Sequence, residues 1–272
     1  MKIRAIASVA LLPVLFIIAL FLPKIVAAVV VGIMCAISVH ELLYTTKLVR
    51  NIRMLIYSMV AGFMVSLWSY FGCPQVVAVL GVLVLFGLLF MEMMLSGMKI
   101  PFSRVALCFA GGIILPYLLC SLIRILVMAE GRYFILMPFA VACLNDVCAY
   151  LIGCKFGKHK LAPKISPKKS VEGFAAGLTA AVLGMVIYGL VLQFACGFKV
   201  NYFYAVIYGV VGGLMGVFGD LCFSVIKRQT GIKDYGNIIP GHGGILDRFD
   251  SMIVVGPLIE ALLLLLPVAV KV

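Results

Sequence analysis

Nine stretches of about 20 residues carry almost no charge, and they leave little room for anything but a bundle of membrane-crossing helices. A helix rises ~1.5 Å per residue, so ~20 apolar residues match the hydrocarbon thickness of a bilayer. The stretches lie at approximately 5–22, 25–44, 54–72, 75–95, 105–128, 133–153, 174–196, 201–226 and 250–270. Only Pro23 and Lys24 part the first two, which predicts a tight hairpin. The expected fold class is an all-α, polytopic integral membrane protein with about nine transmembrane helices. Composition agrees, with 65% hydrophobic and 12% charged residues, where a soluble domain sits nearer half and a quarter. The opening "MKIRAIASVALLPVLFIIALFLP" has the basic start and apolar centre of a signal peptide. It lacks a small-x-small cleavage site and the next span follows at once, so it reads as a retained first span.

The net charge of +12 would suggest nucleic acid in a soluble protein. In a membrane protein, loop position decides what such charge means. Nine spans place 17 basic residues on one side and 5 on the other. The richer side holds the N-terminus and the loops after spans two, four, six and eight. The positive-inside rule puts that side in the cytoplasm, and no nucleic-acid partner is expected. Residues 1–130 form an N-terminal transmembrane half of about five spans with short, plain loops. Residues 131–272 form a C-terminal half with two basic cytoplasmic loops, 154–172 and 227–249. Nine cysteines are scattered through apolar runs without metal-ligand spacing and read as small core residues.

Chemistry concentrates in the second half. Asp146 and Asp220 lie inside spans six and eight. A carboxylate in hydrocarbon is costly and must face a cavity, a cation or a basic partner. Asp220, Ser224 and Lys227 fall at i, i+4 and i+7 and share one helix face. The glycines of "GVVGGLMGVFG" before them read as close helix packing. In "GHGGILDRFD", Asp247 and Asp250 stand three apart at the start of span nine. Hard oxygen ligands of this kind suit Mg²⁺, which keeps waters and shares itself with substrate phosphates. Lys227, Arg228, Lys233 and Arg248 supply phosphate-binding cations. His242, Gly243 and Gly244 shape the loop for close approach of a ligand. In the other loop, "SPKKS" offers Lys168, Lys169 and Ser170 as a phosphate grip. Carboxylates for a divalent metal and cations for phosphates on one membrane face point to metal-dependent phosphoryl or nucleotidyl transfer. The substrate would reach the site from the bilayer. No Walker loop, serine nucleophile or zinc pattern is present in the sequence.

The stretch "SVIKRQTGIKDYGNIIPGHGGILDRFD" (Ser224–Asp250) resembles the signature of the phosphatidate cytidylyltransferases, or CDP-diacylglycerol synthases. That pattern reads S-x-x-K-R-x4-K-D-x-G-x2-I-P-x-H-G-G-x2-D-R-x-D, and every fixed position is met. "NDVCAYLIGCKFGKHKLAPKISPKKSVEG" (Asn145–Gly173) resembles the family's second block. Val147 departs where the family often has Ser or Thr, and Val171 where many members have Trp. The first 130 residues match only as hydrophobic spans. The resemblance implies transfer of the cytidylyl group of CTP to phosphatidic acid, giving CDP-diacylglycerol and pyrophosphate for phospholipid biosynthesis. It implies Mg²⁺ as cofactor, with K⁺ as an accompanying ion, and a homodimer. The short chain and single-sided basic loops point to a bacterial inner membrane with the active site facing the cytoplasm. Asp220 and Asp247 are the first-choice metal ligands, with Asp250 and Asp146 next. Asp220, Lys227, Asp247 and Asp250 form the expected catalytic set. Lys168, Lys169, Ser170, Ser224, Arg228, Lys233, His242, Gly243, Gly244 and Arg248 are expected at the substrate phosphates. Two alternatives remain: a related nucleotidyltransferase acting on another lipid phosphate, and a secondary transporter. A CDP-alcohol phosphotransferase is disfavoured because its D-G-x2-A-R core is absent.

Overall fold

A computed structural model describes residues 17, 20–238 and 243–271. The first candidate span and His242 lie outside, or almost wholly outside, the described residues. Among the described residues, seven helices are long and apolar enough to cross a bilayer. They are α1 (Lys24–Thr45), α2 (Ile52–Phe71), α3 (Gln75–Leu95), α4 (Phe102–Val127), α5 (Gly131–Phe156), α6 (Val171–Cys196) and α7 (Tyr202–Gln229). The protein is an all-α polytopic membrane protein with small antiparallel ribbons at its loops.

The ninth candidate is shorter than its hydropathy suggests. The 250–270 stretch follows a four-residue helix, α8 (Leu246–Phe249), and holds α9 (Met252–Leu265), which has 14 residues. At ~1.5 Å per residue, α9 covers only ~21 Å, less than a full crossing. The apolar residues that follow turn into strand β4 (Ala269–Lys271), which pairs antiparallel with β3 (Phe198–Val200). Asn201 starts α7 by accepting from the backbone N–H groups of Phe203 and Tyr204.

The chain forms two compact units. The first comprises residues up to Ala129 together with Lys227–Phe249. The second comprises Glu130–Ile226 and Asp250–Val272. The loop that the sequence groups with the C-terminal half thus packs in the unit built by the N-terminal helices.

In the first unit, Val39, Leu43, Met54, Leu55, Leu85, Leu89 and Val105 form the core. Asn51 caps α2 by accepting from the N–H groups of Arg53 and Met54, and Gly72 ends it in a left-handed conformation. Two helices contain a wider turn with one extra residue, at Glu41–Thr45 in α1 and Ala110–Ile114 in α4. The second leads into Pro116, which cannot donate to the helix ladder.

In the second unit, α5 and α6 cross closely because small residues line both helices. A Cβ on Gly173 would stand 2.5 Å from the Ala149 carbonyl oxygen. On α7, a Cβ on Gly209 would meet Val182 at 2.4 Å, so the glycine run works as a packing face, as its spacing suggests.

Candidate active site

The end of α7 sets up the first cluster, within the first unit. Gly231 takes φ +70°, the Ile232 N–H reaches the Lys227 carbonyl at 3.0 Å and the Gly231 N–H reaches that of Arg228 at 3.3 Å. This pair of bonds is a Schellman closure; it stops the helix and sends the chain into the polar loop. Lys227, just before the stop, turns inward. Its ammonium donates to Asp247 Oδ1 at 2.8 Å and lies 5.4 Å from the centre of the buried Tyr235 ring. The pair is nearly dry, with side-chain exposures of 11% and 4%. Asp247 Oδ2 accepts the backbone N–H groups of Tyr235 at 2.7 Å and Gly244 at 3.0 Å. An ionised carboxylate offers about four acceptor positions, so three bonds leave roughly one open.

The glycines of this loop have a physical explanation. Gly243 sits at φ +88°, where L side chains rarely go, and a Cβ there would meet Asp247 Oδ2 at 2.7 Å. A Cβ on Gly236 or Gly244 would run into the carboxylate of Glu41, at 2.4 and 2.3 Å from Oε1. Glu41, at the wide turn of α1, is 1% exposed. Its two oxygens accept the N–H groups of Ile245 at 3.1 Å and Leu246 at 2.8 Å. Sequence reasoning missed Glu41. The available signal was a lone acid near the C-terminal end of an otherwise apolar span.

The second unit carries the other acids. Asp220 forms an ion pair with Lys169 and accepts from Ser224 Oγ at 3.3 Å, one turn along α7 as the spacing predicts. This pair is more open, with side-chain exposures of 24% and 25%. Ser251 links two more acids: its N–H donates to Asp250 Oδ1 at 2.8 Å and its Oγ to Asp146 Oδ2 at 3.5 Å. The Asp250 carbonyl oxygen lies against Gly219, where an added Cβ would come within 2.9 Å. Asp250 is buried and Asp146 exposed. Asn145 is buried against Gly177 and Gly216, and neither its amide nitrogen nor its oxygen has a hydrogen-bond partner among the described residues.

The "SPKKS" stretch is β2 (Ser166–Ser170), which pairs antiparallel with β1 (Lys160–Ala162) across a bulge. Neighbouring strand residues point to opposite faces. Lys169 therefore turns to Asp220 while Lys168 is exposed. Ser170 is buried and caps α6, accepting the Gly173 N–H at 3.1 Å. Glu172 fastens the hairpin's base: its carboxylate accepts the N–H groups of Lys158 and His159 and pairs with the His159 ring at 2.6 Å. Arg228 in the last turn of α7, Lys233 in the loop after it and Arg248 in α8 are exposed cations.

Each unit thus presents carboxylates tied to lysines, with further cations at the surface. Among the described residues, no three carboxylate, imidazole or thiol groups gather closely enough to cage an ion unaided. Magnesium rarely uses such a cage; one or two carboxylates, waters and substrate phosphates suffice.

The cytidylyltransferase family model matches residues 2–266. The phosphatidate cytidylyltransferase of Staphylococcus aureus is 37% identical over 136 residues, 50% of this chain and 51% of the relative. The enzyme of that name from Staphylococcus saprophyticus is 36% identical over 136 residues, with the same coverage. The chain spans about half the length of these relatives. With the model matching nearly end to end, this chain belongs to the cytidylyltransferase family.

Proposed function

We propose that the protein transfers the cytidylyl group of CTP to the phosphate of phosphatidic acid, releasing pyrophosphate. Family membership supports the nucleotide half, and the names of the matched relatives support the lipid half. The observation that carries the reading is the Ser224–Asp250 segment. Its acids and cations are the ones a phosphate-to-phosphate transfer needs, and Gly236, Gly243 and Gly244 within it lie against the Glu41 and Asp247 carboxylates.

An oxygen of the lipid phosphate forms a bond to the α-phosphorus of CTP. The bond from that phosphorus to the bridging oxygen of the β-phosphate breaks, and pyrophosphate leaves with the electron pair. A phosphomonoester has a second pKa near ~6, so the nucleophile is largely dianionic at neutral pH. No proton has to move for the reaction to balance. The protein's work is alignment and charge neutralisation. Lys168, Arg228, Lys233 and Arg248 are exposed and suited to the phosphates. Lys227 and Lys169 already neutralise Asp247 and Asp220, and so set how much negative charge each carboxylate offers.

A bound Mg²⁺ would neutralise phosphate charge and polarise the α-phosphate. Asp247 in the first unit, and Asp220, Asp250 and Asp146 in the second, each offer the oxygen donors such an ion takes. The unpartnered amide of Asn145 beside Asp146 suits a hydrated ion, K⁺ included. The 17-to-5 distribution of basic residues supports a cytoplasmic N-terminus and a cytoplasmic active face in a bacterial inner membrane. The homodimer implied by the resemblance is part of the same proposal.

The test is purified protein in detergent with labelled CTP, defined lipid phosphates and a Mg²⁺ titration. The expected result is stoichiometric CDP-diacylglycerol and pyrophosphate with phosphatidic acid. Product with a different lipid phosphate and none with phosphatidic acid would overturn the acceptor. No CTP consumption with any acceptor would overturn the reaction.

A further inference from the structure

We infer that Glu41, outside every motif of the C-terminal half, is a positioning residue that holds the backbone from which Asp247 projects; this rests on the proposed reaction. Three successive amides carry the argument. The N–H of Gly244 goes to Asp247 Oδ2, that of Ile245 to Glu41 Oε1 and that of Leu246 to Glu41 Oε2. Two carboxylates from chain positions more than 200 residues apart grip one three-residue segment, immediately before Asp247. Glu41 has no salt-bridge partner among the described residues, so these backbone donors are the groups that compensate its burial. A buried carboxylate without such donors is strongly disfavoured, so the chain keeps it only where it is hydrogen-bonded.

The fit is tight from the opposite side as well. Both Gly236 and Gly244 leave room for the Glu41 carboxylate where any Cβ would collide with it. The contact is therefore built into the loop's own residue choice. The wide turn at Glu41–Thr45 offsets the helix by one residue where the side chain leaves it. With the Gly244–Leu246 backbone held, the point from which Asp247 reaches Lys227 at 2.8 Å is fixed. Alignment errors near ~1 Å can cost on the order of 100-fold in rate, so a clamp of this kind has catalytic leverage without touching substrate.

The experiment compares wild type, Glu41→Gln and Glu41→Asp in detergent, by amide hydrogen exchange, thermal melting and steady-state kinetics. Gln keeps the size and turns one oxygen into a donor; Asp keeps the charge and loses the reach. The Ile245 and Leu246 amides should exchange roughly 10-fold faster or more in both variants, the scale of losing a hydrogen bond to a charged group. Amides of α2 and α9 should keep their protection. The kcat should fall about 10- to 100-fold while KM for phosphatidic acid changes little. Unchanged exchange at Ile245 and Leu246 would overturn the clamp. Faster exchange with wild-type kcat would overturn the positioning role. Should Glu41→Gln melt too early to assay, Glu41→Asp supplies the same two readouts. Wild-type protein that consumes no CTP would overturn the reaction itself, whereas wild-type turnover matched by Glu41→Gln overturns only the role of Glu41.

Discussion

Lys227–Asp247 and Lys169–Asp220 have the same chemistry in different surroundings. The first is shut away under Tyr235 and netted to backbone amides; the second stands at the edge of a hairpin with about a quarter of each side chain open to solvent. Desolvation makes a broken buried pair cost about 3–5 kcal/mol, because the surviving charge is stranded. A half-exposed survivor is rehydrated and screened, and its loss costs far less. Asp247 is therefore tied into the architecture as well as proposed for the chemistry, while the proposed role of Asp220 should carry little structural consequence.

Paired substitutions test that contrast most strongly. Asp247→Asn and Asp220→Asn should each lower pyrophosphate release by about 100- to 1000-fold, the range for removing one preorganised electrostatic group. Both variants should insert in the membrane. Only Asp247→Asn should lower the melting temperature in detergent, by several degrees; equal shifts in the two would erase the distinction. Wild-type turnover in Asp247→Asn would refute its place in the site. Lys227→Ala comes next, with a loss on the order of 100-fold and a clear drop in melting temperature, since it strands Asp247. An unchanged CTP dependence in that variant would argue against any influence on phosphate binding.

The hairpin offers a finer version. Lys169→Ala removes the partner of Asp220 and should slow turnover about 10-fold, with little change in melting. Lys168→Ala, on the other face of the strand, should raise KM for CTP only a few-fold, about the worth of one exposed cation at a phosphate. Equal effects on kcat would mean that strand alternation does not separate their roles. The smallest expected effect is Cys154→Ser. That thiol is exposed and in no cluster of the site, so rate and melting should match wild type.

Hydropathy alone placed seven membrane helices among the described residues within a few residues, and α3 occupies the 75–95 stretch read from sequence. That success has a simple cause: a bilayer demands length and apolarity, and both are local properties. The spacing of Asp220 and Ser224 was legible for the same reason, since a helix repeats over four residues. What stayed hidden was non-local or broke the period. "SPKKS" begins with a Ser-Pro turn signal, and its strand emerges only because β1 pairs with it across a bulge. Residues 266–271 are as oily as a helix end, yet they reverse to meet β3. Glu41 could not be linked to Leu246 from sequence, because nothing in either neighbourhood encodes a contact 205 positions away.

The Glu41 contact also bears on how this chain can be taken apart. A chimera that grafts residues 131–272 onto another protein's leading helices would transplant every motif and discard a counter-carboxylate that two of its glycines are shaped around. Graft boundaries, truncations and stabilised scaffolds for this chain should therefore carry the C-terminal end of its second hydrophobic stretch together with the Ser224–Asp250 segment.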